Sequence, residues 1–327
     1  MLIDTHIGRV ETAADEARAA EDAGYDGVFT GEMNGDPFLP LTMAVPATSG
    51  IQLGTSIAVA FARSPMTLAY TTWDLQRFSK GRLVVGLGSQ VRAHIDRRFS
   101  MPWGRPAIQM RDYVMALRAI WQSWHDDTPL KFESEHYNHS LMTPLFVPPR
   151  NDFGIPAIYV AGVGDTMTRI AGEVADGFLC HGFTTAQWIR DRSLPALEEG
   201  RKRAGKTMDD FVVKAAIFLA TGSDAEIETG VAEIRDRIAF YASTPAYKPV
   251  LDLHGWGEMG AELTTLSKAG RWAEMGRLIT DEVVDAFAIV APPAKVRDEL
   301  YARYGGLLDR VSFIASGTVP TPDELRL

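Results

Sequence analysis

The sequence predicts an α/β fold, a (β/α)8 TIM-type barrel with insertions in its βα loops. Short apolar runs, each closed by small or polar residues, alternate with longer amphipathic runs. About eight strand runs occur, which argues for a closed barrel over an open doubly wound sheet. No linker-like shift in composition, internal repeat or low-complexity tract divides the chain, so residues 1–327 read as one domain. Two excursions, near 125–155 and 243–280, interrupt the rhythm and are long enough to cover one barrel face.

Leu2 to Thr5 reads as a first strand. Val10 to Ala23 is alanine-rich and amphipathic and stops before Gly24, as a helix does. Gly27 to Thr30 is the second strand, and Leu41 to Thr48 a helix stopped at Gly50. Ile51 to Val59, rich in β-branched residues, is the third strand. Ser64 and Pro65 supply an N-cap and first position for a helix to Phe78. Leu83 to Leu87 is the fourth strand, and Ile108 to Trp124 a long helix with one apolar side. The excursion that follows carries His125, His136, His139 and Pro144, Pro148 and Pro149, with room for short strands. Ile158 to Ala161, Phe178 to Cys180 and Phe211 to Ala220 are further strands, separated by helices over Thr166 to Ala175 and Gln187 to Ala204. Asp224 to Tyr241 is helical, with Asp224 at the favourable end of the helix dipole. After the second excursion, Val283 to Val290 fits either a helix or a strand. Pro292-Pro293 opens a helix to Tyr304, and Val311 to Ala315 is the last strand.

Composition narrows the function. Of 327 residues, 46% are hydrophobic, ample for a large core. The 33 basic and 42 acidic residues leave a formal net charge of -9, which argues against a nucleic-acid or membrane-surface partner. One cysteine, Cys180, excludes an intrachain disulfide and fits a reducing compartment. The N-terminus turns charged at once and no twenty-residue apolar run follows. The expectation is a soluble cytoplasmic protein acting on a small molecule.

In such a barrel the chemistry sits where strands end. His6, Glu32 and His181 fall at predicted strand ends and are candidate acids, bases or hydrogen-bond donors. Gly86 and Gly88 in LVVGLGS let a flat ligand or phosphate approach the backbone, and Ser89 and Gln90 follow. In AGVGDTM, Gly162, Val163 and Gly164 lead into a helix start, whose free amides and dipole suit a phosphate. Asp165 caps that helix or repels the anion. Arg92, His94, Arg97, Arg98 and Arg105 form a basic cluster suited to an anionic ligand, and Trp103, Trp256 and Trp272 are candidates for an aromatic wall. His136 and His139 lack third and fourth ligands at metal-site spacing, so no metal is expected. No nucleophile elbow, P-loop or complete dinucleotide fingerprint occurs.

Five segments carry a family resemblance: AEDAGYDGVFTGE (20–32), DPFLPL (36–41), IQLGTSIAVAFARSPMTLA (51–69), FSKGRLVVGLGSQ (78–90) and IYVAGVGDTMTRIAGEVADGFLCHGF (158–183). The chain resembles the bacterial luciferase-like flavin/deazaflavin oxidoreductases, and within them the coenzyme F420-dependent branch. The resemblance implies a homodimeric barrel holding coenzyme F420, or alternatively FMN, at the strands' C-terminal ends. It implies a cis peptide between Ser56 and Ile57 against the ring, and a cofactor phosphate at Gly162, Val163 and Gly164. Met33 and Asn34 stand where many relatives carry histidine, which leaves the proton-handling residue open among Glu32, His6 and His181. The activity implied is hydride transfer between F420 and a small organic substrate. An FMN-dependent monooxygenase and a flavin-binding protein without turnover are the alternatives.

Overall fold

Eight parallel strands close on themselves in the computed structural model, which describes residues 1–327. In chain order they are β1 (Leu2–His6), β2 (Gly27–Thr30), β3 (Gln52–Thr55), β4 (Leu83–Gly88), β5 (Ala157–Gly162), β6 (Gly177–Cys180), β7 (Val212–Ala220) and β8 (Arg310–Ser316). Each pairs with the next, and β8 returns to β1 through Leu2 beside Arg310. The barrel is the one the alternation predicts. An additional short strand, Ala288–Val290, pairs with Phe218–Ala220 of β7 beyond the ring.

Several boundaries differ from the sequence reading, each for a local reason. The apolar run Ile51 to Val59 is two strands. Gln52–Thr55 belongs to the ring, a cis peptide joins Ser56 and Ile57, and Ala58–Val59 resumes beside Leu87 and Gly88 of β4. The helix after β2 starts earlier than expected, at Phe38, because the Asp36 carboxylate accepts from the Phe38 and Leu39 amides at 2.8 and 3.3 Å. It tightens into a 3-10 turn over Val45–Ala47, where Pro46 has no N–H to donate. The Val283 to Val290 segment is both things at once: helix Asp281–Phe287, capped by Thr280, then the strand Ala288–Val290. The run Gln187 to Ala204 carries a π turn over Ile189–Ser193, just before Pro195 removes a helical hydrogen bond. The first excursion forms a small hairpin, Phe132–Glu133 against Asn138–His139, and the second is helical over Lys248–Leu253, Gly257–Lys268 and Trp272–Met275.

Inside the ring, charge lies below and apolar rings above. Asp4 accepts from Lys214 Nζ at 2.6 Å and from Arg310 at 2.5 and 3.0 Å, all three side chains being buried. Both cations share this one carboxylate, which leaves them partly uncompensated, and desolvation first lowers the Lys214 pKa. Phe29 faces this cluster, its ring centroid 4.2 Å from Lys214 Nζ, and joins Val84, Tyr159 and Leu179 in the barrel core. Gly86 is required here: a Cβ on it would sit 1.8 Å from the Thr55 carbonyl oxygen. Thr55 and Gly86 are locked instead by two hydrogen bonds, of 2.7 and 2.9 Å. No helix is long and apolar enough to cross a membrane.

Candidate active site

The C-terminal ends of β3, β4, β5 and β6 surround a cavity of about 530 Å3. Ile57, Gly88, Ser89 and Gln90 line one part of it, and Gly162, Val163 and Gly164 another. The sequence-predicted cofactor residues therefore converge on one space, with Ser56 joined to the wall through its cis bond to Ile57. A larger concavity, about 610 Å3, lies on the flank near Thr42, Phe78 and Phe153. Phe78 and Lys80 precede β4, so that hollow belongs to the opposite end of the barrel from the strand termini where barrel chemistry sits.

Small residues shape the cavity. A Cβ on Gly88 would approach the Ile57 side chain to 2.8 Å, and one on Gly162 would meet Met167 Cγ at 2.8 Å. Gly164 has open space where a Cβ would stand. It is the N-cap of the helix Asp165–Val174 and offers no capping side chain, so the first amides of that helix remain free to bind an anion. Asp165 does not leave a bare negative charge beside them, because its carboxylate is bonded to Arg192. Gln90 takes a left-handed backbone conformation, φ 59, and its own side-chain oxygen accepts from the Val91 amide at 2.9 Å.

The three candidate proton handlers have different surroundings. Glu32 does not line the cavity. Its carboxylate takes the Arg63 guanidinium in a two-pronged pair, at 2.7 and 2.9 Å, and accepts from the Val59 amide at 2.6 Å. The Glu32 amide in turn donates to the Ile57 carbonyl at 3.0 Å. Glu32 thus braces the segment that follows β3. His6 stands on the same face of β1 as Asp4 and opens into the barrel mouth. Water reaches one side of its ring while protein crowds the rest. Desolvation first, and Lys214 second, bring its pKa down to about 4.

His181 is the candidate that lines the cavity. Its Nδ1 accepts from the Phe183 amide at 2.9 Å, and its Nε2 lies 3.0 Å from the Tyr247 hydroxyl. Burial lowers its pKa to about 4, so the ring is neutral at pH 7. Tyr247 also lines the cavity and packs on His181, ring centroids 4.7 Å apart. Sequence reasoning missed it. Tyr247 comes from the second excursion, and no spacing in the chain ties it to β6.

The basic cluster after β4 is engaged in part by partners within the protein. Arg92 lines the cavity and is paired to Asp96 at 3.0 Å, Arg98 donates to the Met33 carbonyl, and Arg105 pairs with Glu135 at 3.3 Å. Of the loop tryptophans, Trp103 walls the cavity, whereas Trp256 stacks on His254 and Trp272 packs by Phe240. His136 is bonded through Nδ1 to the buried Asp112 at 2.8 Å, and His139 stacks on Tyr137.

Comparisons with known proteins give the family. The model of a family described as luciferase-like monooxygenase matches residues 3–310. An uncharacterized protein of Mycobacterium tuberculosis strain H37Rv is 50% identical over 300 residues, which cover 91% of this chain and 88% of that protein. The 5,10-methylenetetrahydromethanopterin reductase of Archaeoglobus fulgidus is 25% identical over 315 residues, covering 94% and 89% of the two chains. Among solved structures, the coenzyme F420-dependent tetrahydromethanopterin reductase of Methanopyrus kandleri superposes with a TM-score of 0.80. At 21% identity over 99% of this chain and 96% of that one, the last likeness concerns the fold.

Proposed function

Because the chain belongs to the luciferase-like monooxygenase family, we propose that it is an oxidoreductase moving a hydride between coenzyme F420 and a small organic substrate. The observation that carries this reading is the cavity itself: Gly88 and Gly162 at the ends of β4 and β5 let Ile57 and Met167 pack close against the strands, and together these residues line a slot at the strand termini. A flat ring fits such a slot, and its phosphate fits the open amides that follow Gly164. In this reading Ser56 and Ile57 back the ring, Gly88, Ser89 and Gln90 run along it, and Gly162, Val163 and Gly164 hold the phosphate. The deazaflavin, when bound, supplies or accepts the hydride.

The protein's own work is positioning, exclusion of water and proton supply. Trp103, Met167 and Val163 make the walls apolar. His181 reaches the cavity and His6 the barrel mouth, and these two are the histidines placed to handle a proton. Glu32, engaged by Arg63, supports the β3 end instead. The protein acts in the cytoplasm as a homodimer. A second reading, an FMN-dependent monooxygenase, is favoured by the family's own description.

Titration of the ligand-free protein with F420 and with FMN, followed by fluorescence quenching, separates the readings. F420 is expected to bind more tightly. Tight FMN binding with none of F420 overturns the cofactor assignment. Binding without any oxidation of reduced F420 across a substrate panel points to a flavin-binding protein without turnover.

A further inference from the structure

His181 and Tyr247 come from distant parts of the chain and meet at the cavity wall. Their hydrogen bonds fix where each proton lies. The Phe183 backbone amide donates to His181 Nδ1 at 2.9 Å. A backbone amide can only donate, so Nδ1 is bare. The ring is neutral because burial has brought its pKa to about 4, and its one proton is therefore on Nε2. Nε2 is 3.0 Å from the Tyr247 oxygen, so that bond runs from the imidazole to the phenol. The phenol keeps its own proton, since desolvation first and Tyr241 second raise its pKa to about 12. His181 is the hydroxyl's one protein partner, so the O–H has no acceptor within the protein.

We propose that Tyr247 presents this O–H to a carbonyl oxygen or imine nitrogen of the molecule bound in the cavity, with His181 as the positioning residue that holds the phenol there. The proposal rests on the oxidoreductase reading and adds the acceptor chemistry. A neutral donor among Trp103, Val163 and Met167 favours a neutral acceptor. A carboxylate ligand would find Arg92 as the cation of the wall, and Arg92 is already paired with Asp96. The acceptor belongs either to the flavin-type ring or to the substrate beside it.

Two measurements test this. Long-range proton–nitrogen correlation spectra of histidine-labelled, ligand-free protein report the His181 tautomer. A proton on Nε2 is expected, in the wild type and in Tyr247→Phe alike, and a proton on Nδ1 overturns the proposal. Affinities for F420 and FMN, and oxidation of reduced F420 with benzaldehyde as carbonyl probe, are then compared between wild type and Tyr247→Phe. Loss of cofactor affinity by about three- to tenfold places the acceptor on the ring. Unchanged cofactor affinity with turnover slowed by a similar factor and an altered pH profile places it on the substrate. No change in either overturns the donor role. His181→Ala is expected to match Tyr247→Phe, with the double variant no worse than either. His181→Gln, whose amide can still donate, is expected to restore part of the loss. Additive losses overturn the positioning role. If neither F420 nor FMN binds the wild type, the cofactor assignment itself fails, and the tautomer alone decides whether the hydroxyl is free.

Discussion

A carboxylate's neighbours decide its job, and Glu32 shows how. From the sequence it is an acid at a strand end. In the fold, both its oxygens are taken by Arg63 and the Val59 amide, and its side chain is 7% exposed. Removing one partner of a buried, two-pronged pair leaves the other charge without compensation, because Asp36 is 3.7 Å away and half open to solvent. Glu32→Gln is therefore expected to lower unfolding free energy by about 3 kcal/mol in urea titration. Unchanged stability with abolished turnover would return Glu32 to the role of proton donor. The histidines lead to a different expectation. His181 has a folded pKa of about 4 against an ordinary value of 6.5, so the unfolded chain takes up a proton first as pH falls. The associated stability is fully present above pH 6.5 and is lost on going down towards pH 4. His6 acts with the same sign. Thermal midpoints measured from pH 7 to pH 4 should fall less steeply for His181→Gln than for the wild type, and equal slopes would contradict the buried, neutral imidazole.

At the scale of elements, two glycines answer to different constraints. Gly86 lies within β4, where an added Cβ would strike the Thr55 carbonyl, a backbone atom that cannot step aside. Gly86→Ala should cost about 3 kcal/mol or more and lower the melting temperature by several degrees in a thermal-shift assay. Gly164 sits at φ -82, ψ 151, a conformation open to any residue, and no atom lies within 4 Å of where its Cβ would stand. Gly164→Leu should leave the melting temperature unchanged while weakening flavin-type binding by at least about tenfold, because Gly164 lines the cavity and heads the helix whose amides are proposed to hold the phosphate. If Gly164→Leu binds normally, the phosphate assignment is wrong. The contrast also explains what can be read from sequence. β4, β5 and β6 are legible as apolar runs closed by small residues, and the cavity residues Gly88 and Gly162–Gly164 come with them. Those signals are local, set by burial on both faces of a parallel strand. Tyr247 and Arg63 are not legible as site residues, because a contact between residues 66 apart, His181 with Tyr247, depends on how an insertion folds back rather than on any periodicity. The helical character of that insertion is hidden for a related reason: its helices are short, and packing rather than propensity stabilises them.

For the whole molecule, the surface left outside the barrel matters as much as the cavity. Leu39 and Met43, one helical turn apart on Phe38–Ala44, are 55% and 45% exposed. Thr42 from the same helix shares a flank hollow with Phe78 and Phe153, which are themselves 52% and 46% exposed. Single exposed apolar residues are ordinary, but Leu39 and Met43 flank Thr42 in sequence, and Thr42 lines the hollow with Phe78 and Phe153, a surface of the kind that partners cover. It lies near the start of β4, away from the strand ends that bear the cavity, so two copies joined there would both keep their sites open. An isologous dimer is the simplest closed assembly of one such patch. Sedimentation velocity at micromolar concentration should give a dimer for the wild type. Leu39→Glu combined with Met43→Glu should give a monomer that still melts cooperatively and still binds the flavin-type ligand. A monomeric wild type would remove the dimer, and an unchanged dimer in the double variant would move its interface elsewhere, towards the exposed Leu141, Leu145 and Phe146 of the first insertion.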